Sequence, residues 1–443
     1  MRNKSIVKEL LLFSFPLIMS GILQQLYSWA DAFIVGHSGP EGEAMLTAVG
    51  ATSSIFILVI NSIIGFTLGL SILAAQEYGR NNVDNIRQIT NRFLPILCVL
   101  YTALAAITIF FAEPFLRIMD TPAEVFDYSL RYLRIILLGV PFLAVYNLFS
   151  AIFRAVGNTT VSFYAVLISS ALNVLLDILL VLVFPFGVAG AAIATILSQI
   201  AMTFFIVWYC IAKYPHLVGG KKDAAAASAM FRQGLSFGLP PTIQNSVTSV
   251  GNLVLQNFMN GFGASTVLAV TTAYRVDSIM LLPVINLGSA ISSMVARSKG
   301  AGNDARIKNY LWTGLALMVG ISGVLAIAMY LFGAYFVGFF GVTGEALAIG
   351  DTFFRDLSMF YVFFGVATVL RSVLEGVGDI TYCSVIGISS LALRIVASYL
   401  LRPVLMERSI AFAEGIAWMA LLLFMLLRVI YKLVIRKENT PNP

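Results

Sequence analysis

Gln24-Gln25-Leu26-Tyr27-Ser28-Trp29-Ala30-Asp31-Ala32-Phe33-Ile34-Val35-Gly36 closes the first long apolar segment of the chain. On a helix Tyr27 and Asp31, four residues apart, share one face. A carboxylate within a membrane helix is costly and marks a functional site by default. The reading of this stretch therefore turns on two questions: whether the segment crosses a bilayer, and what lies at the depth of Asp31.

Composition answers the first. Of 443 residues, 59% are hydrophobic and 11% charged, and the mean hydropathy is +0.90. Soluble domains carry about 25% charged residues, so this is an all-α polytopic membrane protein. The first apolar run is too long for a signal-peptide core and has no small-residue cleavage site after it; it reads as a retained helix. Cys98, Cys210 and Cys383 are far apart and suggest neither a disulfide framework nor a metal cluster. The net charge of +6 sits in short loops, which speaks for membrane orientation and not for nucleic acid. No G-x-x-x-x-G-K-[ST] loop occurs, so no ATP-driven engine lies in the chain. No nucleophile–base arrangement points to an enzyme.

A ruler of about twenty apolar residues per span predicts twelve helices, at 10–35, 45–74, 93–112, 131–153, 159–184, 189–213, 231–258, 266–297, 310–338, 353–375, 381–402 and 411–435. Twenty Lys and Arg residues fall at one set of helix ends, among them Arg2, Lys4, Lys221, Lys222, Arg436 and Lys437; six fall at the other, and Arg275 and Arg394 lie inside helices. The asymmetry predicts a multi-pass protein of the plasma (inner) membrane with both termini cytoplasmic. Asp31 then lies in the outer half of helix 1.

The polar, basic stretch 214–230 reads as a linker. It divides the chain into an N-terminal six-helix lobe (1–213) and a C-terminal one (231–443). A shift of 221 residues carries Ala48-Val49 onto Ala269-Val270, Gly79 and Asn82 onto Gly300 and Asn303, Arg134 onto Arg355, and Val156-Gly157 onto Val377-Gly378. Six helices per copy is an even number, so the repeat is parallel, with a pseudo-two-fold axis along the membrane normal. Such repeats enclose a substrate cavity. The shift takes Asp31 to Asn252, so the acid is not repeated.

Helix 5 carries Asn173 and Asp177, again one turn apart, and Thr195 lies about as far past the following turn as Asp177 lies before it. Tyr27, Asp31, Asn173, Asp177 and Thr195 are therefore expected in one outer-half pocket. Two chemistries suit it. Two adjacent buried carboxyls favour sharing a proton. Carboxylate, amide and hydroxyl oxygens from Asp31, Asn173, Asp177 and Thr195 also suit Na⁺. Other polar groups at membrane depth are Gln24, Gln244, Asn245, Asn252, Arg275, Asp277 and Arg394, which either line a cavity or brace the second half. Pro16, and Pro240-Pro241 in the corresponding helix, interrupt backbone bonding and allow kinks. Gly65 and Gly69 form a GxxxG suited to close helix packing.

Tyr27 and Asp31 with the Asp-Ala-Phe-Ile-Val-Gly run, Asn173-Val-Leu-Leu-Asp177, Gly187-Val-Ala-Gly190-Ala-Ala-Ile-Ala-Thr195, Pro16, and the twin turns at Gly157-Asn158 and Gly378-Asp379 resemble the multidrug and toxic compound extrusion (MATE) transporters over nearly the whole chain. The resemblance implies a secondary active exporter. It would antiport amphipathic or cationic compounds against H⁺ or Na⁺ by alternating access. The residues matching Tyr27, Asp31, Asn173, Asp177 and Thr195 would form the coupling site, and Pro16 the bend of helix 1. Its partners would be the lipid bilayer and small-molecule substrates, with no ATPase subunit and no cofactor beyond the coupling ion. Helix 7 holds no acid, which places the chain nearer the DinF-like than the NorM-like branch. A lipid-linked sugar or lipid flippase of related architecture is the alternative; it calls for a basic cavity where this sequence offers an acidic one.

Overall fold

The computed structural model describes residues 2–184, 186–220 and 224–432; the side chains of residues 2–4 and 224–226 also lie outside it. The side chains of Arg2 and Lys4, and the residues Lys221, Lys222, Arg436 and Lys437 of the basic ends, are therefore outside the described residues. Among the described residues there is no strand. The helices are α1 (Arg2–Gly36), α2 (Gly42–Gly79), α3 (Val83–Phe110), α4 (Ala112–Ile118), α5 (Ala123–Ile136), α6 (Val140–Val156), α7 (Thr159–Asp177), α8 (Gly187–Lys213), α9 (Ala224–Asn260), α10 (Ala264–Met280), α11 (Leu282–Gly300), α12 (Asp304–Gly338), α13 (Gly344–Ser358), α14 (Tyr361–Gly376), α15 (Ile380–Leu405) and α16 (Ser409–Ile430).

Among the described residues, eight helical stretches are long and apolar enough to cross a bilayer, ten when the bent pairs α10–α11 and α13–α14 each count as one. Separating α15 from α16 at the Met406–Arg408 turn, and adding α9, gives the twelve expected. Their outer faces are apolar and open: Phe110 is 77% and Phe339 74% exposed, a surface suited to lipid. On α1, Ile6, Leu10, Phe13 and Leu17 are buried at helical spacing while Leu12 and Phe15 face outward.

The repeat is written into the turns. Asn82 accepts from the Asn85 amide at 3.3 Å to cap α3, and Asn303 accepts from the Arg306 amide at 3.0 Å to cap α12. Positive φ recurs at the same shift: Asn81 with Gly302, Asp120 with Gly341, Gly157 with Gly378. The Asn158 amide reaches the Phe153 carbonyl at 2.9 Å, and the Asp379 amide reaches Leu374 at 2.8 Å. The two copies then diverge. Asn158 Nδ2 donates to the Tyr214 hydroxyl at 3.0 Å, whereas Asp379 binds Arg428 at 2.7 Å and Lys432 at 3.0 Å.

The compact units differ from the expected 1–213 and 231–443 lobes. One comprises Met1–Ser14 and Val247–Pro443, the other Phe15–Ser246. The cause lies in particular contacts. Within the first unit, Arg306 Nη2 donates to both Glu9 oxygens at 2.9 Å, the Tyr310 hydroxyl donates to Glu9 at 2.8 Å, and Arg297 lies over Phe13. Within the second, Phe231 stacks on Phe93 and lies beneath Arg92. The linker is also shorter than 214–230, because α9 already runs from Ala224. The Ala-rich stretch there has the highest helix propensity of any residue type.

The GxxxG of α2 packs as its spacing suggests. A Cβ on Gly65 would stand 2.6 Å from the Pro241 carbonyl, and one on Gly69 would overlap the Phe237 backbone. Gly69→Val is expected to destabilise the protein by about 1–3 kcal/mol. Gly50→Ala, with nothing within 4 Å of the added carbon, serves as the control. Thermal melts of the purified protein separate the two; equal melting temperatures would refute the close contact.

Asp379 lies between α14 and α15, outside the spans. Burial pushes its carboxyl up, but Arg428 and Lys432 more than offset this and hold it below the usual 3.8. A depressed carboxyl contributes stability above its unfolded value and loses it as pH falls through the folded one. Asp379→Asn is therefore expected to melt lower than wild type at neutral pH, with the gap closing in acid below about pH 4. A gap independent of pH would point to packing instead.

Candidate functional site

Asp31 and Asp177 meet. α1 brings Asp31 and α7 brings Asp177 so that the two carboxyls stand within hydrogen-bond reach of each other. Asp177 is wholly buried and Asn173 is 1% exposed. Among the described residues, Asp31 Oδ1, both Asp177 oxygens and both ends of the Asn173 amide are buried with no protein hydrogen-bond partner. Buried polar atoms in native proteins are nearly always satisfied. Five such atoms from three neighbouring residues cluster at this one place in the fold.

Local sequence explains how this arises. Ser170, Asn173 and Asp177 lie on one stripe of α7, and the Ser170 hydroxyl is also unsatisfied. After Asp177 the helix widens into a π turn over Ile178–Val183, a distortion common at functional sites. α8 packs against this turn through small residues. A Cβ on Gly190 would meet the Leu180 carbonyl at 2.6 Å, and Ala191, Ala192 and Ala194 are fully buried. The Gly-Ala-Ala-Ile-Ala-Thr run thus holds α8 close to the acid-bearing helix.

The other expected members divide. Tyr27 lies within electrostatic range of both carboxyls. Thr195 turns its hydroxyl to the Ala191 carbonyl of its own helix at 3.1 Å, which leaves its lone pairs free. Two members were missed by sequence reasoning. Tyr132 of α5 is within range of Asp31, Asp177 and Tyr27, and Tyr146 of α6 faces Tyr27. Both are buried. Gln24 is exposed, as is Asn252, the counterpart of Asp31; Gln244 is buried. Asn245 donates to the Asn61 carbonyl at 3.2 Å. Pro16 is half-buried, its carbonyl taken by the Ser20 hydroxyl at 2.8 Å, and α1 passes from one compact unit to the other between Ser14 and Phe15.

In the other unit the structure groups Asp277 and Arg394 with residues the sequence reading left out. Arg394 Nη2 donates to Glu414 Oε2 at 2.9 Å and to the Tyr274 hydroxyl at 2.7 Å. The Tyr361 hydroxyl donates to Asp277 Oδ1 at 2.5 Å. Arg275, two positions from Asp277, is exposed while Asp277 is buried, as residues on different helix faces should be.

Twelve helices in two lobes, with a buried carboxyl pair in one of them, define a membrane transporter rather than an enzyme. The MatE family profile matches residues 16–179 and again 240–400, and the chain belongs to that family. The chain is 27% identical to the probable multidrug resistance protein YpnP of Bacillus subtilis (strain 168), over 87% of this chain and 86% of that protein. It is 29% identical to the probable multidrug resistance protein YoeA of the same organism, over 87% and 84%. A solved variant of the Vibrio cholerae MATE transporter VcmN superposes with a TM-score of 0.90 at 18% identity, covering 99% and 98% of the two chains.

Proposed function

We propose that the protein is a secondary active exporter of amphipathic or cationic drugs, driven by inward flow of H⁺ or Na⁺ through the Asp31/Asp177 pair. The observation that carries this reading is the pair itself. Two ionised carboxylates only accept hydrogen bonds, so two that face each other at membrane depth need a proton or a cation between them. For a proton, the two aspartates would share it. For Na⁺, Asp31, Asp177 and Asn173 supply unsatisfied oxygens and Thr195 a free lone pair. The family and the two multidrug-resistance relatives support the export of drugs.

The coupling follows from linkage. An ion and a drug exchange only if each changes the other's affinity. Neutralising the pair changes its electrostatic interaction with Tyr27 on α1. Pro16 lies eleven residues earlier on the same helix, where a missing backbone bond makes a change of bend cheap. The excess of Lys and Arg at one set of helix ends supports a reading with both termini in the cytoplasm and the pair in the outer half of the inner membrane, on the side from which ions would enter. No ATPase subunit is required.

The test is ethidium transport in vesicles with a pH gradient and a Na⁺ gradient imposed separately. One gradient is expected to drive uphill movement of the dye and the other to fail. Transport that ignores both refutes the proposal.

A further inference from the structure

Two spans of the unit containing residues 247–443 are broken, α10–α11 by 42° and α13–α14 by 51°. Their counterparts 221 residues earlier each count as one span, α2 without interruption and α5–α6 through a 3₁₀ turn at Leu137–Gly139. Asp277 lies one turn before the first break, its carbonyl accepting from the Leu281 amide at 2.9 Å. Tyr361 is the first residue of α14, just after the second break. The Tyr361–Asp277 hydrogen bond therefore joins the two bends directly, and both residues are buried, at 1% and 5% exposure.

The charges there do not balance. The groups facing Asp277 are Glu414 from α16, Tyr361 from α14 and Arg394 from α15, with Tyr274 one turn earlier on α10. Arg394 is already bound by Glu414 and Tyr274. α13 also packs on α10, but its Asp356 binds Arg408 through two bonds and its Asp351 binds Arg355. Among the described residues, the charged groups acting on Asp277 come from α15 and α16 and not from α11 or α12. Two carboxyls thus share one guanidinium, and the excess falls on Asp277, to which the neutral Tyr361 phenol donates. At membrane depth an unpaired charge is expensive, and a proton removes it at the least structural cost.

We propose that Asp277 is a second proton-binding site, distinct from the Asp31/Asp177 pair, and that its protonation acts on the two helix bends through Tyr361. An ionised carboxylate accepts strongly from the phenol and holds the bends together. A protonated one accepts more weakly and lets them part. The site extends the transporter reading but does not need the first pair to be the coupling site, and its test separates the two.

The full chain is reconstituted in lipid with Asp31→Asn/Asp177→Asn, which removes the first pair. Infrared difference spectra between mildly acid and mildly alkaline pH then report protonated carboxyls. Trp418 reports the bends, since its ring lies 5.9 Å from Tyr361 and 4.7 Å from Phe364. One titrating carboxyl band is expected to remain in this background and to vanish on adding Asp277→Asn, together with the pH dependence of Trp418 emission. Tyr361→Phe is expected to keep the band and flatten the Trp418 response, a split that a purely structural aspartate would not give. If Asp277→Asn does not fold, Asp277→Glu is expected to keep the band at a shifted midpoint. The assignment is overturned if no band remains in the background, if the band survives Asp277→Asn, or if replacing choline by Na⁺ moves its midpoint, which would make the site one for a metal cation.

Discussion

Asn in place of either Asp31 or Asp177 is expected to abolish gradient-driven dye transport, to vesicle background, while leaving the protein folded. The substitution keeps the shape of the side chain and removes its charge. It also supplies an amide donor to the remaining carboxylate, so the buried pair becomes better satisfied than before. Stability should hold or rise, which makes lost transport a coupling effect and not a folding one. Each proton moved down a tenfold gradient supplies about 1.4 kcal/mol, and a carrier whose pair no longer exchanges an ion has no access to that energy. Downhill dye exchange should therefore continue in the variants while uphill accumulation stops. Tyr132→Phe, which keeps the ring and removes one hydroxyl near both carboxyls, is expected to move the pH dependence of transport without abolishing it. An Asp31→Asn variant that accumulates dye against a gradient at the wild-type rate would exclude the pair as the coupling site.

The parts of this site that could be read in the sequence are those that are costly in a membrane. Asp31 and Asp177 stand out because few reasons exist to place a carboxylate there, and helical spacing attaches Tyr27 and Asn173 to them. Tyr132 and Tyr146 gave no signal. Tyrosine is apolar over most of its surface and occurs in lipid-facing, packed and functional positions alike. Only the packing of α5 and α6 shows that both rings point inward. The repeat was legible because turns need particular residues, and the matched Asn caps and left-handed glycines fall where the shift puts them. The compact units were not, because the ends that depart from the halves are held by contacts far apart in sequence, Glu9 with Arg306 and Phe231 with Phe93. The two bends divide the same way. Pro283 stands in the first turn of α11 and marks a break inside the helix expected at 266–297. The break before Tyr361 falls in Ser358-Met359-Phe360, with neither Gly nor Pro to announce it.

Removing Arg394 alone is expected to be among the most damaging single changes in the chain. The guanidinium holds Glu414 at 2.9 Å and the Tyr274 hydroxyl at 2.7 Å. The Tyr274 hydroxyl in turn donates to Glu414 at 3.1 Å, closing a triangle of three hydrogen bonds. The side chains are 18% and 9% exposed. Arg394 lies nearly two turns, about 9 Å, deeper from the Met406–Arg408 turn than Glu414 does, and the long arginine stem reaches back toward it. Arg394→Met would leave the Glu414 carboxylate buried with only a phenol beside it, near Asp277. Breaking a buried pair in this way costs about 3–5 kcal/mol. Replacing both partners is a different matter, because no charge is then stranded. Arg394→Met/Glu414→Met is expected to recover most of the loss, with a coupling energy of about 1–3 kcal/mol in a double-mutant cycle. Denaturation of the four proteins in the same detergent measures it. A double variant as unstable as Arg394→Met alone would show that the arginine acts through packing of its stem, and the triangle would then have no electrostatic role in holding α10, α15 and α16 together.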